Sequence, residues 1–285
     1  MENISPALLD WFYKNRRSLP FREDPTPYHV WLSEVMLQQT RVSAVLPYYY
    51  RFLEELPDIP ALAACGEEKL HKLWEGLGYY SRVRNLQKAA KLVCAQYGGE
   101  LPADYDALRA LPGIGDYTAG AIASISFGLP VPAVDGNVLR VLARLTADRE
   151  DVLKPAAKKR LSALAAQMVP ADRPGAYNQA IMELGETICL PNTAPDCSRC
   201  PLNDLCEANR LGCAAELPVR APKKETTTAV PCWSSSVSNM MSGGCCCTVA
   251  RPADCWRICG SCPRSKNGCP PNRHVPQPKS CWMPR

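Results

Sequence analysis

Four cysteines crowd the stretch "CLPNTAPDCSRCPLNDLC", where Cys189, Cys197, Cys200 and Cys206 are spaced C-x7-C-x2-C-x5-C. Thiolates this close in sequence can enclose a tetrahedral zinc or a cubane [4Fe–4S] cluster. Zinc sites usually pair two CxxC units across a longer gap, whereas this loop has one CxxC flanked by two outliers. Spacing alone leaves both groups open.

A second stretch, "LPGIGDYTAGAIAS" at 111–124, sets Gly113 and Gly115 directly before a helix-compatible apolar run. Such a turn leaves backbone N–H groups pointing outward at the positive end of a helix dipole, a place that can hold a phosphate. Between two helices this is the form of a helix-hairpin-helix, a grip on the DNA backbone that reads no sequence. Two carboxylates complete the set. Glu34 lies inside the apolar "WLSEVML", a setting that buries it in part and raises its pKa toward use as a proton donor. Asp135 heads "VDGNVLRV", where an Asp is most often a helix N-cap.

The elements that must carry these residues are helical almost throughout residues 1–215. "VWLSEVMLQQTRVSAVLPYYYRFLEEL" keeps helical spacing, with a break or kink expected at Pro47. "EEKLHKLWEGLGYYSRVRNLQKAAKLVCAQY" reads as helix, Gly-X-Gly turn and helix, and "KPAAKKRLSALAAQMV" and "PGAYNQAIMELGETIC" follow. No alternating β-rich run rivals them, so the expected fold class is all-α. Neither a signal peptide nor a membrane span is legible, and a cytoplasmic protein is expected, nucleoid-associated in a bacterium.

Net charge is +5, yet seven Lys/Arg and a single acid, Asp254, lie beyond residue 231. The preceding residues hold 26 basic and 27 acidic side chains, so nucleic-acid binding has to rest on local features. Nine of the 16 cysteines share that tail, including "CCC" at 245–247. From about 218 onward the chain is rich in Ser, Pro, Gly and Cys without periodicity, and disorder is expected there.

Taken in order, "SEVMLQQTRV", "GLGYYSRVRNL", "LPGIGDYTAGAIAS", "VDGNVLRVL" and the four-cysteine loop closely resemble the helix-hairpin-helix DNA glycosylases of the endonuclease III superfamily, specifically the MutY-type adenine DNA glycosylases. The resemblance covers residues from about 5 to 222. It implies a two-lobed all-α fold. Residues 25–130 would form a helical barrel-like lobe with the hairpin near 111–120. Residues 1–24 and 131–213 would form an iron–sulfur lobe, leaving 214–285 as an irregular tail. It also implies a [4Fe–4S] cluster on the four cysteines, double-stranded DNA with A:8-oxoguanine or A:G mispairs as partner, and a monomer. Glu34 would protonate adenine, and Asp135 would face the sugar cation with Tyr117 beside it. Gln39 and Tyr79 would wedge into the duplex, Gly113 and Gly115 would hold phosphate, and Arg22 and Gln179 would meet the base. Tyr117 stands where the lyase-competent branch has its Schiff-base lysine, and a phenol forms no imine. That argues for base removal without strand cleavage, and against an endonuclease III-like enzyme for damaged pyrimidines.

The resemblance stops at the tail, where MutY-type enzymes continue into a Nudix-like β-rich domain that reads 8-oxoguanine. A frameshift accounts for the change: read one nucleotide out of step, "CWRICGSCP" at 255–263 can yield Leu-Leu-Ala-Asp-Leu-Trp-Glu-Leu-Pro, which resembles a stretch of that domain. A zinc-binding extension using Cys255, Cys259, Cys262 and Cys269 is the rival reading of the tail. Without the Nudix-like domain, the preference for 8-oxoguanine over guanine is expected to weaken. An inactive DNA-binding remnant is the alternative function.

Overall fold

The computed structural model describes residues 3–191 and 193–221. The helices are, in order, α1 (Ser5–Asn15), α2 (Pro20–Glu23), α3 (Pro27–Leu37), α4 (Val42–Glu55), α5 (Ile59–Ala64), α6 (Glu67–Leu73), α7 (Ser81–Tyr97), α8 (Tyr105–Arg109), α9 (Asp116–Phe127), α10 (Gly136–Leu145), α11 (Pro155–Met168), α12 (Pro174–Thr187) and α13 (Glu207–Arg210). Single 3-10 turns occur at Cys197–Arg199, Asn203–Leu205 and Ala214–Glu216. No strand occurs among the described residues, and none of their helices is long and apolar enough to cross a membrane. The frameshift and zinc readings of the tail fall on residues outside this description.

Local chemistry sets the helix ends. Thr26 Oγ1 accepts from His29 N at 3.2 Å with Pro27 at the first helical position, and Asp58 and Asp104 cap α5 and α8 in the same manner. Gly98 and Gly128 close α7 and α9 in the left-handed conformation (φ 67° for both) that a side chain would resist.

Two large hydrophobic cores result, with a small third around Ala208, Cys213, Ala214 and Leu217. Trp31, Leu32, Met36, Tyr49, Phe52, Trp74, Val83 and Ile122 sit in the first; Leu8, Phe12, Leu142, Tyr177, Ile181 and Leu184 sit in the second. Leu19 and Phe21 already belong to the first core, so the chain enters it before position 25. α9 packs against both α3 and α12. Its close approach to the segment that leads into α10 depends on Gly120, where a Cβ would meet Pro132 O at 2.1 Å.

Two expectations need correction. Pro47 breaks nothing: α4 runs through it from Val42 to Glu55. The long apolar stretch is interrupted instead at residues 38–41, where Gln39 takes φ 59°. The tail also begins later than residue 214. Leu217 is buried, Arg144 Nε donates to its carbonyl at 2.8 Å, and Val152 N donates to Val219 O at 3.2 Å.

Candidate active site

Glu34 projects from the buried middle of α3 into a cleft of about 830 Å³. Tyr117, in the first turn of α9, donates its hydroxyl to Glu34 Oε2 at 2.6 Å, and Met182 Sδ lies 3.3 Å from the same phenol oxygen. Burial is the main reason the Glu34 carboxyl is pushed up to about 7. The Tyr117 hydrogen bond and the Arg22 charge pull it down, while the charges of Asp135 and Glu186 push it up. A group poised near neutrality can hand over a proton and take one back. Burial and the facing carboxylate also hold the Tyr117 phenol well above its usual range, so it stays a donor.

Asp135 lines the same cleft from the N-terminus of α10. Its Oδ1 accepts from Asn137 N at 2.9 Å and Val138 N at 2.8 Å, and Oδ2 accepts from Asn137 Nδ2 at 2.7 Å. Asp135 is therefore both an N-cap and a fixed carboxylate facing the cavity. Burial raises its pKa; the three hydrogen bonds oppose that by favouring the charged form.

Arg22, Gln39 and Gln179 also line the cleft. Arg22 Nη2 donates to Glu183 Oε2 at 2.8 Å, and Arg17 donates to both Glu183 oxygens at 2.6 and 2.7 Å. Burial alone would raise Glu183, but these guanidinium bonds outweigh it and hold the carboxyl below its usual range. Glu183 and Arg17 were missed in the sequence. Glu183 carries the signal that singled out Glu34, a carboxylate inside the apolar run "IMELG".

Tyr79 lies outside the cleft, exposed, at φ 48°. It and Gln39 are non-glycine residues in the left-handed region, at a cost of about 1–3 kcal/mol each that surrounding contacts must offset. Gly113 takes φ 79° in the turn before α9, with Asn85 Cβ 2.8 Å from where its own Cβ would lie; Gly115 is the N-cap of α9. The turn is off the cleft but continuous with the helix that carries Tyr117.

Cys189, Cys197, Cys200 and Cys206 line one small cavity together with Arg144, and all four are free of disulfides. Arg144 Nη1 lies 3.2 Å from Cys189 Sγ. Among the described residues no group of His, Cys, Asp or Glu converges on a point that would hold one metal ion.

Residues 32–167 match the model of the HhH-GPD superfamily base excision DNA repair proteins. The chain is 46% identical over 213 residues to the adenine DNA glycosylase of Homo sapiens, covering 72% of this chain and 39% of that protein. It is 37% identical over 222 residues to that of Buchnera aphidicola subsp. Schizaphis graminum, covering 78% and 64%. The chain thus spans about two fifths of the human relative's length. Among solved structures, a thermostable thymine-DNA glycosylase superposes with a TM-score of 0.65 at 26% identity, covering 73% of this chain and 95% of that one. A trapped endonuclease III–DNA covalent intermediate gives 0.61 at 26%, covering 74% and 95%. With residues 32–167 matching that model and adenine DNA glycosylases matching more than two thirds of its length, the chain belongs to the HhH-GPD superfamily of base excision DNA repair proteins.

Proposed function

We propose that this chain is a monofunctional DNA glycosylase that removes adenine mispaired with 8-oxoguanine or guanine from double-stranded DNA. The observation that carries the reading is the cleft that Glu34, raised to about 7 and hydrogen-bonded by Tyr117, lines together with the helix-capping Asp135. The adenine nucleotide is extruded from the stack into this cleft, at a cost of a few kcal/mol in unstacking. Protonated Glu34 gives its proton to N7, and the C1′–N9 bond breaks with its electron pair going to the base. The sugar is left as an oxocarbenium-like cation, which the fixed charge of Asp135 stabilises. Water then adds at C1′, and its proton returns to the Glu34 carboxylate, leaving an abasic site. No lysine replaces Tyr117, so no imine to the sugar forms.

Gln39 and Tyr79 fill the space left by the extruded base, Gly113 and Gly115 hold a backbone phosphate, and Arg22 and Gln179 face the adenine. Cys189, Cys197, Cys200 and Cys206 would hold a [4Fe–4S] cluster, which would supply rigidity to the loop between α12 and α13. The protein acts as a cytoplasmic monomer. The test is single-turnover adenine release from A:8-oxoguanine and A:G duplexes, with Glu34→Gln as control. Release by the parent chain and none by the variant is the expected result; duplex binding without release by the parent marks an inactive remnant and overturns the reading. A borohydride-trapped covalent adduct with the parent would point instead to the lyase branch.

A further inference from the structure

Arg82, at the second position of α7, has only 9% of its surface exposed and has no carboxylate among its hydrogen-bond partners. Its guanidinium instead bridges two chain segments. Nη1 donates to Val35 O and Met36 O at 2.9 Å and to Gln38 O at 2.7 Å, the carbonyls that the end of α3 leaves unpaired. Nη2 donates to Leu77 O at 3.0 Å and approaches Gly78 O at 3.4 Å. The same group lies over the Trp74 ring at 5.4 Å and the Tyr79 ring at 5.5 Å. The residue after each bridged segment is one of the two left-handed residues flanking this contact, Gln39 after Gln38 and Tyr79 after Gly78.

We infer that Arg82 is a positioning residue that holds Gln39 and Tyr79 as one unit, fixing both against the duplex although it touches neither base nor sugar itself. The inference rests on the proposed wedge role of these two residues. A planar guanidinium suits the task because its donors point two ways, toward the end of α3 and toward the 77–78 turn. A lysine ammonium keeps the charge, but from a single nitrogen it reaches one segment and not both.

The test is a double-mutant cycle on the full chain. Single-turnover adenine release from an A:G duplex is measured for Arg82→Met, Tyr79→Ala, Gln39→Ala and the combinations. In parallel, 2-aminopurine placed beside the mispair reports unstacking. Arg82→Met is expected to slow release at least tenfold and to lower the unstacking signal. Adding Tyr79→Ala or Gln39→Ala to it should slow release less than twofold further. Arg82→Lys should behave like Arg82→Met, and it carries the test if the methionine variant does not fold. Losses that multiply, or full activity in Arg82→Lys, would overturn the inference while leaving the wedge reading intact. If Tyr79→Ala and Gln39→Ala by themselves change neither release nor unstacking, the wedge reading falls and takes the inference with it.

Discussion

Glu34 shows how much one side chain is set by its neighbours. Its raised pKa means the folded protein binds a proton there more tightly than the unfolded chain does. That contribution to stability is fully present below the ordinary carboxylate pKa and is lost as pH rises through about 7. Two outcomes follow. Single-turnover release should fall about tenfold per pH unit above the Glu34 pKa, because the acid form is then scarce. Glu34→Gln, in turn, should be inactive yet more stable than the parent at pH 8, by up to roughly 3 kcal/mol, a gain absent at pH 4; thermal melts at the two pH values check it. Tyr117→Phe removes the bond that favours the charged carboxylate. The alkaline limb of its rate profile should therefore lie at higher pH than the parent's, and a limb moved downward would show that Tyr117 does not act through this bond.

At the scale of elements, the junction between α3 and α4 was the least legible part of the sequence. "LQQT" contains neither Gly nor Pro, so nothing local ends the helix, and Pro47 looked the better breaker. The observed end depends on Arg82 taking the α3 carbonyls, a contact between residues more than forty positions apart that no window on the sequence contains. Asp135 was legible twice over, as cap and as carboxylate, because both roles follow from one residue type at a helix start. The two roles can be separated. Asp135→Asn keeps an oxygen to accept from the Val138 and Asn137 amides and should melt within about 1 kcal/mol of the parent, while Asp135→Ala should lose about 1–2 kcal/mol. Both should lose adenine release, and retained release in Asp135→Asn would mean that its charge is not needed. The approach of α9 to residues 132–133 is likewise readable only in three dimensions. Gly120→Ala drives a methyl into Pro132 O and should cost about 1–3 kcal/mol or more, measured by denaturant unfolding.

For the molecule as a whole, the helical class came from periodicity and the meaning of the ordered site motifs from the family resemblance, whereas the pairing of Glu34 with Tyr117 across 83 residues came from neither. The cysteine loop was conspicuous in the sequence, but its attachment was not: Arg144 ties Cys189 and the carbonyl of Leu217 to α10, the helix that Asp135 caps. The proposed cluster predicts that Cys197→Ser lowers the melting temperature and the iron content of the purified protein, and unchanged iron content would argue against these four ligands. The capping bond at Asp135 also bears on how such a scaffold diversifies. The helix needs only an accepting oxygen at position 135 in order to begin, so the start of α10 is independent of the base that the cleft accepts. A duplicated copy of this chain could therefore remodel the walls around Arg22 and Gln179 for a different base without disturbing the start of α10.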